Sequence, residues 1–176
     1  NCRQIAQGIE DKIAKQVYAL CADPNSGYPM LRRPSLAIIK AGNKADSALY
    51  VKIKERQAKS VGIETNLYLL TEETSNEEIF TAIEFLNKDP LVDGILVQLP
   101  LPAHLDTDRI IASIDPSKDV DGFHAENLTK LAETEAEKIV PPVYAGIIAC
   151  LANIEFTLTG KRVVIIGKSD IFTSHL

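Results

Sequence analysis

Asp93-Gly-Ile-Leu-Val-Gln-Leu-Pro-Leu-Pro102 opens as a short apolar strand and closes on two prolines that cannot extend it. Proline lacks a backbone donor and fixes its own φ, so the chain must leave the sheet just after Gln98. Ligand sites in open α/β sheets form where strands end. The amide of Gln98 is therefore placed to point into a crevice, although a glutamine there could equally cap exposed backbone.

Outward from this strand, helical and strand-like segments alternate. Residues Ile5 to Leu20 carry apolar side chains at helical spacing, and Asp23-Pro-Asn-Ser-Gly27 supplies turn formers that close that helix. Ser35 to Lys40 reads as a short buried strand. Lys44 to Ser60 reads as a helix stopped by Gly62, and Ile63 to Leu70 alternates as a strand. Thr74-Ser75 followed by Glu77 and Glu78 resembles a capping box opening a helix that runs to about Asn87. After the prolines, the spacing predicts a helix over Thr107 to Ser113 and a polar loop from Asp115 to Phe123. A charged stretch follows from Glu133 to Lys138, then a rigid break at Pro141-Pro142 and a helix over Val143 to Asn153. Lys161 to Ile166 reads as an apolar strand entering Gly167-Lys168-Ser169, the usual entry to a dinucleotide-binding unit. This alternation predicts an α/β fold, a parallel-rich sheet in a three-layer arrangement with right-handed crossovers, followed by the start of a Rossmann-type domain. The boundary falls near Pro141, dividing the chain into 1–140 and 141–176. Asn1 is not an initiator Met and Leu176 follows closely on a strand-like run, so the chain is expected to be part of a longer protein.

Composition narrows the class of ligand. The 176 residues are 45% hydrophobic and 24% charged, with a formal net charge of -5 and a pI near 5.2. No basic field exists to hold a polyanion, which argues against nucleic acid and anionic membranes and for a small-molecule substrate. Cys2, Cys21 and Cys150 are scattered, with no CxxC pair and no neighbouring histidine cluster, so neither a disulfide framework nor a metal site is expected. No apolar run approaches the ~20 residues of a membrane span. A cytoplasmic location is expected, or a mitochondrial matrix one if a transit peptide has been removed.

Three groups of residues could carry chemistry. Ser47, Tyr50 and Lys54 fall at i, i+3 and i+7, so one helix face presents a hydroxyl, a ring and an amine. A lysine serves as acid or base when burial or a nearby cation lowers its pKa. Spacing alone also fits a packed Tyr50 and a solvated Lys54. Gln98 is the second group. The third, Pro116-Ser-Lys-Asp-Val-Asp-Gly122, sets two carboxylates in a glycine-ended loop, suited to holding an amino-pyrimidine edge. Loop acids most often only make turns, and the oxygen spacing of an EF-hand is absent.

Ser47-Ala-Leu-Tyr50-Val-Lys-Ile-Lys54, the Asp93 to Pro102 stretch and Pro116-Ser-Lys-Asp-Val-Asp-Gly-Phe123 together resemble one family, in its order and with similar spacing. It is the bifunctional methylenetetrahydrofolate dehydrogenase/methenyltetrahydrofolate cyclohydrolase family. The resemblance runs from Asn1-Cys-Arg-Gln-Ile-Ala6, where the family has Asp-Gly-Lys-x-Ile-Ala, to Gly167-Lys-Ser169. It implies oxidation of 5,10-methylenetetrahydrofolate with NAD(P), then hydrolysis of the methenyl product to 10-formyltetrahydrofolate. It further implies a catalytic Lys54 tuned by Gln98 and oriented by Ser47, with a pterin stacked on Tyr50 and fixed by Asp121. Leu99 and Pro100 would complete the folate site, and Gly167, Lys168 and Ser169 would bind the cofactor. Lys168, where the family often has arginine, suits a 2′-phosphate and so NADP, with NAD as the alternative. The resemblance also implies a homodimer.

The chain departs from that pattern in two places. Pro141-Pro-Val-Tyr-Ala-Gly146 lacks the threonine and second proline of Pro-x-Thr-Pro-x-Gly, at the expected domain junction. After Ser169, Asp170 to His175 replaces an expected Val-Gly pair and proline, which removes a close backbone approach to a pyrophosphate. That second departure keeps open a folate-binding paralogue with cyclohydrolase activity alone, or with none. A short-chain-dehydrogenase-like oxidoreductase also pairs a tyrosine with a lysine four residues on, but its glycine-rich loop precedes the tyrosine, whereas Gly167 here follows Tyr50.

Overall fold

The computed structural model describes residues 2–131, 138–164 and 166. Its elements, in chain order, are α1 (Cys2–Ala22), β1 (Ser35–Ala41), α2 (Ala45–Ser60), β2 (Glu64–Leu70), α3 (Asn76–Lys88), β3 (Gly94–Val97), α4 (Thr107–Ala112), α5 (Ala125–Lys130) and α6 (Pro142–Asn153). The three strands form a parallel sheet in the order β2-β1-β3. Every residue of β1 except Leu36 is buried, as befits a central strand covered by helices on both faces.

Alternation along the strands divides the core in two. Ala37, Ile39 and Ala41 of β1 and Ile95 and Val97 of β3 pack with Ile79, Ile83 and Leu86 of α3 and Ile110 of α4. Ile38 and Leu96 point the other way and meet Val51 of α2, with Leu36 and Leu67 alongside. The three-layer α/β expectation holds, with α2 on one face and α3 and α4 on the other. The order also explains the helix placement. The chain steps from β1 to β2 in one direction and from β2 across to β3 in the other, and crossovers of a single hand in opposite directions put their helices on opposite faces. The crevice between diverging connections opens at the carboxyl ends of β1 and β3.

Local signals placed the ends of these elements. Ser75 and Glu78 form both arms of the capping box: Glu78 N–H donates to Ser75 Oγ at 3.2 Å, and Ser75 N–H to Glu78 Oε2 at 2.8 Å. At the amino end of the sheet, Asp93 accepts from both Arg32 guanidinium nitrogens at 2.6 and 2.9 Å, from Tyr28 Oη at 3.0 Å and from Ser35 N at 2.8 Å. Arg32 also stacks 4.5 Å from the Tyr28 ring centroid. This clamp ties the loop before β1 to the start of β3.

One expectation is corrected, and one element is new. Lys161 to Val164, predicted as strand, take no strand form, and Val164 and Ile166 are 76% and 94% exposed. A strand needs a ladder partner, and among the described residues none pairs with this run. Helix α5 was not anticipated. It begins where His124 caps it, Nδ1 accepting from Glu126 N at 3.2 Å, and its Asn127 is buried beneath the preceding loop.

Candidate functional site

Gln98 is the first residue past β3, and its N–H donates to Ile39 O at 2.8 Å, carrying the ladder one step beyond the strand. Alternation puts its side chain on the Leu96 face, the face covered by α2. It is 8% exposed; Nε2 donates to Leu99 O at 2.6 Å, while Oε1 is buried with no hydrogen-bond partner. The chain then turns out of the sheet through a cis Leu99–Pro100 peptide bond. Leu99 packs against the core on the α3 side, and Pro100 is exposed.

Helix α2 starts at the same carboxyl edge, because it follows β1. Its first turns bring Ser47, 4% exposed, and Val51, 2% exposed, down onto the sheet. Lys54, one turn on, is partly buried along the same stripe, and Tyr50 flanks it with 59% of its surface exposed. The tyrosine is therefore not packed into the sheet, and its ring is open to stack on a planar ligand.

The loop after Ile114 brings the third group to this edge. Its two carboxylates divide the work. Asp119, 2% exposed, accepts from Gly122 N at 3.1 Å, His124 N at 2.8 Å and Asn127 Nδ2 at 3.1 Å, which fixes the loop's shape. Asn127 also donates to Pro116 O at 2.9 Å. The loop joins the sheet through a parallel bridge between Ile95 and Asp119. Gly122 has a φ of +69°, and a Cβ there would sit 2.9 Å from Ile139 O, so only glycine lets the Ile139 to Pro141 segment close on this turn.

Asp121 is only partly buried, and its carboxyl is pushed above the ordinary range. Burial is the largest cause; the charge of Lys54 pulls the other way, and that of Asp119 adds to the rise. Lys54 and Asp121 thus lie within electrostatic range of each other. Ser47, Lys54 and Gln98 lie on the α2 face of the sheet with Tyr50 flanking them, whereas Asp121 sits on the α3 face among Val97, Leu99 and Phe123, still within electrostatic range of Lys54. An amine, an amide and an exposed ring on the α2 face, with a carboxylate in electrostatic range, are the groups that can hold a flat, nitrogen-rich ring and move protons at an adjacent carbon.

Gly167, Lys168 and Ser169, expected at the cofactor, lie outside the described residues. Among the described residues no group of three or more His, Cys, Asp or Glu side chains could hold a metal ion, and no helix is long and apolar enough to cross a membrane. Sequence reasoning missed Lys40. It is 7% exposed on β1, and its ammonium donates to Gly42 O. The signal was a lone lysine in the apolar run Leu36-Ala-Ile-Ile-Lys-Ala41. The framing role of Asp119 and Asn127 was also missed, because two acids in one loop look alike until the fold chooses which one turns inward.

The sequence and the fold both match those of known proteins. Residues 1–121 match the model of the tetrahydrofolate dehydrogenase/cyclohydrolase catalytic domain. The bifunctional protein FolD of Rhodospirillum rubrum is 41% identical over 172 residues, covering 96% of this chain and 56% of that protein. FolD of Streptococcus sanguinis is 40% identical over 169 residues, covering 96% and 57%. Among solved structures, the FolD methylenetetrahydrofolate dehydrogenase/cyclohydrolase of Campylobacter jejuni superposes with a TM-score of 0.87 at 34% identity, over 97% of this chain and 58% of that one. The Trypanosoma brucei enzyme, solved with NADP and an inhibitor, gives a TM-score of 0.87 at 30% identity, over 97% and 56%. The chain spans a little over half the length of these relatives. With the catalytic-domain match covering the greater part of its residues, the chain belongs to the tetrahydrofolate dehydrogenase/cyclohydrolase family.

Proposed function

We propose that the protein carrying this chain oxidises 5,10-methylenetetrahydrofolate to the methenyl form and hydrolyses that product to 10-formyltetrahydrofolate. The observation that carries this reading is that Lys54, partly buried on the sheet-facing side of α2, lies within electrostatic range of Asp121, while Gln98 leaves the same α2 face of the sheet with its Oε1 buried and unpartnered. The cofactor, NADP with NAD as the alternative, accepts the hydride in the first reaction. Residues 1–140 would be the folate-binding catalytic domain, and 141–176 the hinge helix and the start of a dinucleotide-binding domain.

In the hydrolysis, water adds to the methenyl carbon, the bond from that carbon to N5 breaks, and N5 gains a proton; one proton is released overall. Lys54 would take the proton from the attacking water and return one to N5. Gln98 would orient the lysine, Tyr50 would stack on the pterin, and Asp121 would accept from its 2-amino and ring N–H groups. Ser47, Leu99 and Pro100 would line the folate site, and Gly167, Lys168 and Ser169 the cofactor's.

The test is the loss of methenyl-folate absorbance with the full-length protein. Hydrolysis at rates above the uncatalysed reaction supports the assignment, and none would overturn it. Hydride transfer is measured separately, because the Asp170 to His175 departure favours a second reading with cyclohydrolase activity alone. The assembled protein would be a homodimer in the cytoplasm, and sedimentation as a monomer at micromolar concentration would contradict the dimer.

A further inference from the structure

Lys40 carries a charge into a place where charges are costly. It stands on the central strand at 7% exposure, and among the described residues no carboxylate lies within ion-pair distance of it. An ammonium has three donors, and the bond recorded for this one is to Gly42 O. A buried cation without a counter-ion is retained where its donors have acceptors to serve.

The neighbouring strand supplies one. β1 and β3 pair Ile39 with Val97, and Gln98 N–H donates to Ile39 O, so the register continued by one residue sets Lys40 beside Gln98. Both side chains lie on the Ile38 and Leu96 face, on strands about 4.8 Å apart. Gln98 Oε1 is a buried acceptor with no partner, on the strand position beside Lys40, whose ammonium donates to Gly42 O. The same ammonium grips the turn that leads into α2. Gly42, at φ +79°, begins that turn, and Glu72 Oε2 holds it from the other side by accepting from Asn43 N at 3.3 Å.

We propose that Lys40 is a positioning residue of the folate cleft, its ammonium setting the side-chain amide of Gln98 from beneath while it ties down the Gly42 turn. The proposal rests on the reading that Gln98 works at the reacting carbon bridge. Lys40 itself stays under the cleft floor and touches no reacting atom. A Gln98 amide oriented by Lys40 would present its remaining hydrogen-bonding groups to Lys54 in one direction only, which affects turnover more than affinity.

The experiment is a double-mutant cycle on methenyl-folate hydrolysis in the full-length protein: wild type, Lys40→Met, Gln98→Ala and the double variant, with folate Kd and thermal melting for each. The expected result is a kcat ~10-fold lower in Lys40→Met with folate Kd within about twofold, and under about twofold further loss when the substitution is made on Gln98→Ala, as for directly coupled residues. Lys40→Arg, which keeps charge and donors, should recover most of the lost rate. If Lys40→Met does not fold, Lys40→Gln, which keeps donors without the charge, takes its place in the cycle. Equal losses in both backgrounds, or a kcat within about twofold of wild type, would overturn the proposal while leaving the functional assignment standing. A folded wild type that hydrolyses no methenyl-folate would overturn the assignment and the proposal with it.

Discussion

Lys54 and Asp121 lie within electrostatic range of each other at the carboxyl edge of the sheet, and the Asp121 carboxyl is held above its ordinary range. Burial prevails there over the attraction of Lys54, and the nearby Asp119 adds to the rise. The pair joins a helix laid down early in the chain to a loop 67 residues later (121 − 54). It is the electrostatic pairing on which the proposed chemistry turns.

Lys54→Met keeps length and helix propensity and removes the amine. The fold should survive, with folate affinity and circular dichroism close to wild type. Methenyl-folate hydrolysis should slow by roughly 10²- to 10⁴-fold, the usual worth of positioned acid–base assistance. A folded, folate-binding variant within threefold of wild type would remove Lys54 from the chemistry.

Asp121→Asn separates binding from stability. Charge-assisted bonds to the pterin are worth about 1.5 to 3 kcal/mol, so folate binding should weaken ~10- to 150-fold with NAD(P) affinity unchanged. Because the folded carboxyl titrates above its unfolded value of 3.8, the folded state holds the proton more tightly, and stability falls as pH rises through that window. The penalty is present once pH exceeds the folded value, and the amide removes it. The variant should therefore melt no lower than wild type at neutral pH, an advantage that disappears below the ordinary carboxylate range. Melting curves at several pH values, beside folate titrations, check both parts.

The Asp93 clamp should govern the acid limb of stability. Burial alone would raise the Asp93 carboxyl, but hydrogen bonds from Arg32, Ser35 N and Tyr28 outweigh it and hold it below 3.8. Its contribution is present above the unfolded value and lost as pH falls through the folded one. Asp93→Asn should cost about 1.5 to 3 kcal/mol near neutrality and flatten the loss in acid. Tyr28 has the opposite sign. Burial, then the bond to Asp93, push its hydroxyl up to about 12, so its share is intact below 10 and is lost as pH climbs from there through about 12. Chemical denaturation across pH measures both limbs.

Gly122→Ala tests the turn beside Asp121. A left-handed φ of +69° costs an L-residue about 1–2 kcal/mol, and the new Cβ would press on Ile139 O at 2.9 Å. Stability should drop by at least that amount, and folate affinity should fall because Asp121 moves with the turn. Unchanged folate affinity in a destabilised variant would show that the turn supports the fold alone.

The sequence by itself determined the α/β alternation, the helix start at Ser75 and the exit of the chain from the sheet after Gln98, because each rests on local chemistry: periodicity, a capping box, proline's missing donor. Family likeness in three blocks named Ser47, Tyr50, Lys54, Gln98 and Asp121 as one group before any contact was known. Only the tertiary structure decided what long-range pairing controls. The register of β1 on β3 set Gln98 and Lys40 side by side. The fold of one loop turned Asp119 inward as its frame and left Asp121 to Lys54. The run at Lys161 to Val164 shows the limit of local pattern: β propensity makes a strand only where a partner offers a ladder, and among the described residues none does.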